Sequence, residues 1–201
     1  MKKLNAKGLT LIEITVTLLI VSVVIIFTSG TLMSAFNGLT STSVSNESKM
    51  IGDNIYNWVS EKIIYCTDLK IVTIDEVNVP LEAEAVFVDA DENSVTYGHL
   101  MYKKSGSSQF IDFYGHEFYN NSTVVMYVRC YDKYIVDLQI EIYDRDSNKR
   151  YYTGSSMEVL NMRLADISVQ DGSGSDIDMS LAAANPVLIF KYDTLLDSIG
   201  P

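Results

Sequence analysis

Residues 1–30 read MKKLNAKGLTLIEITVTLLIVSVVIIFTSG. Lys2, Lys3 and Lys7 precede an apolar run in which Glu13 is the only charge before Glu47. A helix crossing about 30 Å of hydrocarbon needs roughly 20 mostly apolar residues, and residues 9–29 supply them. The lysines place the leader in the cytoplasm and the rest of the chain outside, as a single-pass precursor. A secretory signal peptide would have a shorter apolar run ending in a small-x-small cleavage site. Here the small residue, Gly8, stands before the run instead. A plain signal anchor would supply the hydrophobicity but has no use for Glu13, because a carboxylate in hydrocarbon is costly and usually marks function.

The segment Lys7-Gly8-Leu9-Thr10-Leu11-Ile12-Glu13 resembles the processing site of type IV prepilins and type II secretion pseudopilins. The resemblance implies a membrane prepilin peptidase that cuts between Gly8 and Leu9 and methylates Leu9. Leu9 stands where the family usually has phenylalanine. Glu13 becomes the fifth mature residue. Cleavage leaves a positive amine at a helix N-terminus, which needs a counter-charge. Glu13 lies one turn along the same face, within reach of its own amine or a neighbour's. The family's pattern implies that the neighbour pairing brings subunits into register. The implied product is a bacterial structural subunit, a minor pilin or pseudopilin, of an extracellular or periplasmic filament. A major pilin, a filament-borne adhesin and an unassembled anchored protein are the alternatives.

Beyond residue 29 the chain turns polar, with Gly30, Ser34, Asn37, Gly38 and a Thr40–Ser43 run, then resumes an apolar rhythm. Val44, Ile51, Ile55, Trp58, Val59, Ile63 and Cys66 fall on one helical stripe. One helix over about residues 9–65 is expected, with Gly30 and the Ser/Thr cluster around it as its weak point, a candidate hinge or melted segment in a filament. From residue 69 the period becomes two. Strands are expected at 69–74, 85–89, 109–114, 123–131 and 134–143, with 150–155 and 157–164 closing the sheet. The clearest is 134–143, where Val136, Leu138, Ile140 and Ile142 alternate with Asp137, Gln139 and Glu141. The expected fold class is α+β: a long helix, membrane half plus amphipathic half, packed on one antiparallel sheet. The resemblance makes this layout pilin-like. The boundaries are leader 1–8, filament-core helix 9–30, amphipathic continuation 31–66, sheet head 67–164 and C-terminal loop and tail 165–201.

The composition constrains function further. Against 15 Lys plus Arg stand 26 Asp plus Glu, a net charge of -11. Such a surface opposes nucleic-acid binding, which depends on basic groups neutralising phosphates. Sparse arginine (Arg129, Arg145, Arg150, Arg163) beside abundant Lys, Ile, Asn and Tyr fits an AT-rich bacterial genome. Cys66 on the helix stripe and Cys130 on the apolar sheet face should meet in one interface, as a disulfide or as two buried thiols. No metal spacing links the cysteines to His99 or His116. In the 170–178 loop, Asp171, Asp176 and Asp178 are chemically able to bind calcium. A Gly/Ser-rich surface loop accounts for the same residues. The tyrosines from Tyr114 to Tyr152 suit sheet packing, and exposed ones would suit sugar binding. No nucleophile set or phosphate loop assembles, so neither enzymatic activity nor a cofactor is expected. The expected partners are the prepilin peptidase, other pilins through the N-terminal helix, and the membrane.

Overall fold

The computed structural model describes residues 11–72, 79–132, 135–160, 168–170 and 183–192. The chain forms two compact units, Met1–Val44 and Ser45–Pro201. Helix α1, Leu11–Tyr65, contributes to both. The residues around Gly30, the candidate hinge or melted segment in a filament, are helical without a break in the single chain. The Ser and Thr hydroxyls there turn back onto carbonyls of the preceding turn. Thr28 Oγ1 donates to Val24 O at 2.8 Å, Ser29 Oγ to Ile25 O at 2.7 Å and Thr31 Oγ1 to Phe27 O at 3.2 Å.

In the second unit α1 buries Ser48, Ile51, Gly52, Ile55, Val59 and Ile63, a stripe repeating at three and four residues. Each buried Ile or Val contributes about 1.5–3 kcal/mol. Val44 lies outside the core at 39% exposed. Gly52 is needed for close approach, since a Cβ there would sit 2.7 Å from the Tyr151 ring. That ring's hydroxyl donates to Asp53 Oδ1 at 2.7 Å. The last carbonyls of α1, which lack helical donors, take them from elsewhere. Cys66 Sγ donates to Ile63 O at 3.1 Å and the Leu160 N–H to Ile64 O at 3.1 Å.

The described residues of the head form two sheets, not the single one expected. Among them ten strands run in chain order: β1 Asp68–Val72, β2 Glu84–Val88, β3 Leu100–Lys103, β4 Ile111–Asp112, β5 Thr123–Asp132, β6 Ile135–Tyr143, β7 Lys149–Glu158, β8 Ser168–Gln170, β9 Ala183–Ala184 and β10 Val187–Lys191. A four-residue helix α2, His116–Tyr119, lies between β4 and β5. The larger sheet has the order β4-β3-β2-β10-β1-β8 and the smaller β7-β6-β5-β9. All pairs are antiparallel except β1 with β8.

The chain changes sheets at Asn185, between β9 and β10, in the left-handed conformation (φ 47). Its N–H donates to Met126 O at 2.6 Å and its Oδ1 accepts the Met126 N–H at 2.8 Å. The two sheets are also joined at Gly98 (φ +74), whose carbonyl accepts the Val124 N–H at 3.0 Å. A Cβ on Gly98 would meet Thr123 Cγ2 at 2.4 Å.

Several strand limits need correction. Only Ile111–Asp112 of the expected 109–114 strand forms, and the chain then enters α2. The 150–155 and 157–164 pieces are one strand, β7, as far as Glu158, and residues 161–164 lie outside the described residues. The C-terminal stretch 165–201 is not only loop and tail, since β10 fills the larger sheet between β2 and β1. Val187, Leu188, Ile189 and Phe190 are all buried there. The main core joins the α1 stripe to β1, β2, β3, β5, β6 and β10. A smaller cluster of Val72, Ala83, Ala85, Val187 and Ile189 lies apart from it.

Candidate functional site

The feature that the head does not account for is the first unit of α1. Every described residue from Leu11 to Asn46 is exposed. Leu11 is 82% and Phe27 72% exposed. At 1.5 Å per residue the stretch 11–30 covers about 30 Å, the thickness of bilayer hydrocarbon. The helix is thus long and apolar enough to cross a membrane. Its polar side chains are suited to an apolar setting. Besides the three hydroxyls around Gly30, Thr15, Thr17, Ser22, Thr40 and Thr42 each donate to a carbonyl three or four residues earlier. A buried hydroxyl without a partner costs energy, and these have theirs within the helix. Glu13 lies in the first turn, where the helix dipole favours a negative charge.

Gly8 and Leu9, the expected processing site, lie outside the described residues, as do the calcium candidates Asp171, Asp176 and Asp178. Among the described residues no three His, Cys, Asp or Glu side chains converge as a metal site would require. Cys66 and Cys130 are both buried in the main core as free thiols, one of the two arrangements left open by their positions in the sequence. Burial pushes each thiol up to about 12, with Asp68 adding to the effect at Cys66. At neutral pH both stay protonated and poorly nucleophilic.

The head also holds polar clusters that the sequence did not reveal. His99 Nδ1 lies 2.8 Å from Asp112 Oδ2, and the His99 ring stacks on Tyr119 at 4.0 Å. The pairing of β3 with β4 brings them together, and no spacing along the chain signals it. The Tyr119 hydroxyl accepts the Leu100 N–H at 2.9 Å, which ties α2 to β3. On β6, burial alone would raise the Glu141 carboxyl. Donors on Lys149 (2.5 Å), Tyr143 and Gln139 (2.6 Å) outweigh it and hold the group below its usual value. The tyrosines divide. Tyr119 is buried in the core, whereas Tyr152 is 59% exposed. Trp58, Tyr102, Phe113 and Tyr114 form a ring cluster, with Trp58 and Phe113 centred 4.2 Å apart.

An open cleft of about 430 Å³ is lined by Tyr97, Asn121, Thr123, Tyr143, Asp144 and Arg145 among others. Its acidic group is committed to its own turn: Asp144 accepts from the Asn148 N–H at 2.8 Å and pairs with Arg150 at 2.5 Å. The exposed helix, with its one acidic residue, therefore remains the leading candidate. No protein family, curated protein or solved structure matches the chain.

Proposed function

We propose that this protein is a structural subunit, a minor pilin or pseudopilin, of a type IV pilus or type II secretion-like filament. It is made as a single-pass membrane precursor, cut after Gly8 by a prepilin peptidase, and inserted into the filament through the exposed part of α1. One observation carries this reading: Glu13, the only charge between Gly8 and Glu47, occupies the first turn of a helix whose apolar residues from Leu11 to Val44 are all exposed. A membrane alone would be served as well by an uncharged helix. A helix that leaves lipid to pack among copies of itself gains from a carboxylate that pairs with a neighbour's new N-terminal amine. The back-bonded hydroxyls support the same reading, because they suit the helix to lipid and to helix packing alike.

Co-expression of the full chain with a prepilin peptidase tests the proposal. Mass spectrometry is expected to show loss of residues 1–8 and a methylated Leu9. A retained leader would leave only a membrane anchor and overturn the reading. In a filament-assembling host, Glu13→Val should be processed and folded yet stay in the membrane. Normal incorporation of that variant would remove Glu13 from assembly.

A further inference from the structure

Strand β7 lies at the edge of the smaller sheet. β6 takes one side of it, and no described residue pairs with the other. Its sequence, KRYYTGSSME, has no proline, and its charges sit at the two ends.

Which backbone groups face outward follows from Met126. Both its N–H and its C=O bond to Asn185, on the side of β5 away from β6. Backbone direction alternates along a strand, so the odd-numbered residues of β5 face β6. The registers Tyr127↔Gln139 and Leu138↔Ser155 carry the alternation across β6. On the Glu158 side of the register shift, Tyr151, Thr153, Ser155 and Met157 of β7 therefore face β6. Tyr152, Gly154, Ser156 and Glu158 direct their N–H and C=O groups to the open edge. Gly154, Ser156 and Glu158 are exposed, as is Tyr152. Of these carbonyls, Ser156 O accepts the Ser155 hydroxyl at 3.2 Å.

We infer that a second copy of this chain pairs with the β7 edge, antiparallel, about a two-fold axis at Gly154. In such a pair each outward-facing residue must meet another outward-facing residue. Centring on Gly154 sets Tyr152 across from Ser156 and Arg150 across from Glu158 of the second copy, and symmetry makes each pairing twice. Centring on Thr153 sets Arg150 across from Ser156, and centring on Ser155 sets Tyr152 across from Glu158. Neither neighbouring register matches opposite charges. Gly154, Ser155 and Ser156 keep the crossing point small.

Arg150 stands at the register shift opposite Ile142 and Tyr143 and already touches Asp144, but a guanidinium carries five donors and can serve both. Glu158 forms no ion pair among the described residues. A strand edge of this length left unpaired, as it is among the described residues, is an aggregation hazard, and a closed two-fold pair removes it. This pairing does not depend on the filament reading.

Full-length protein in detergent micelles provides the test. Tyr152→Cys and Ser156→Cys chains are purified separately, mixed and mildly oxidised, with the buried Cys66 and Cys130 as spectators. The mixture is expected to give a disulfide-linked dimer about tenfold more readily than either chain alone. Adding Glu158→Arg to both chains should lower the yield about tenfold, since two attractive cross-strand pairs become repulsive. Adding Arg150→Glu to the same chains should restore it. Absence of the mixed dimer, equal linking by either chain alone, or a yield indifferent to Glu158→Arg would each overturn the inference. The cysteine arm alters only exposed side chains, so its outcome stands even where charge reversal disturbs the Asp144 turn.

Discussion

Asn185 holds the corner between the two sheets with a side chain in place of a strand neighbour, and its backbone occupies a conformation costly for most residues. Two contributions can be separated there. Asn185→Gly removes only the amide that accepts the Met126 N–H, a loss of about 1–3 kcal/mol. Asn185→Ala adds the left-handed penalty of roughly 1–2 kcal/mol. Denaturant unfolding should therefore rank native above Gly above Ala. An alanine variant as stable as the glycine variant would mean that the corner relaxes to another conformation. The sequence held no hint of this role, since one Asn before a proline reads as an ordinary turn. Glu13, by contrast, stands out in the sequence by residue type and isolation alone, and its proposed role rests on that conflict between a lone carboxylate and an apolar run. His99 and Asp112 fall between the two: both residues were visible, but only strand pairing makes them partners.

The elements that could be read were those with one wet face. β6 alternates because Val136, Leu138, Ile140 and Ile142 pack inward while Asp137 and Gln139 do not. The α1 stripe was readable for the same reason, although it also uses Ser48 and Gly52, which no apolar pattern would include. β10 was missed on physical grounds. Its residues VLIF are buried on both faces, so no alternation remains, and β1 and β2, which bury them, lie about a hundred residues earlier. The single expected sheet failed with it, since nothing local shows that β9 and β10 pair in different sheets. A core position in β10 should accordingly carry a core-sized penalty. Phe190 is fully buried, and Phe190→Ala should cost about 3–5 kcal/mol in denaturant unfolding. A cost near that of a surface substitution would place residues 187–191 outside the cooperative core.

Across the whole molecule, stability and the proposed assembly function occupy different residues. The hydrophobic core draws on residues from Ile51 onward, and none from Leu11 to Asn46 is buried. Removal of residues 1–44 should therefore shift the thermal midpoint by no more than about 2 °C, and abolish membrane association. A shift of about 10 °C or more in calorimetry would show that the first unit stabilises the second. This division was visible in outline, because the apolar run and the amphipathic stripe differ in pattern.

The central place of β10 has a consequence for the order of events in biosynthesis. Until residue 191 has been made, β1 and β2 lack the strand that lies between them. At about 5–20 residues per second the larger sheet then stays open for several seconds or more while the intervening residues are synthesised. The larger sheet can close only afterwards, by a slow pairing of strands far apart in sequence. During that interval the unpaired backbones of β1 and β2 are open to other chains, so the late arrival of β10 makes aggregation of the unfinished chain the hazard that its pairing ends.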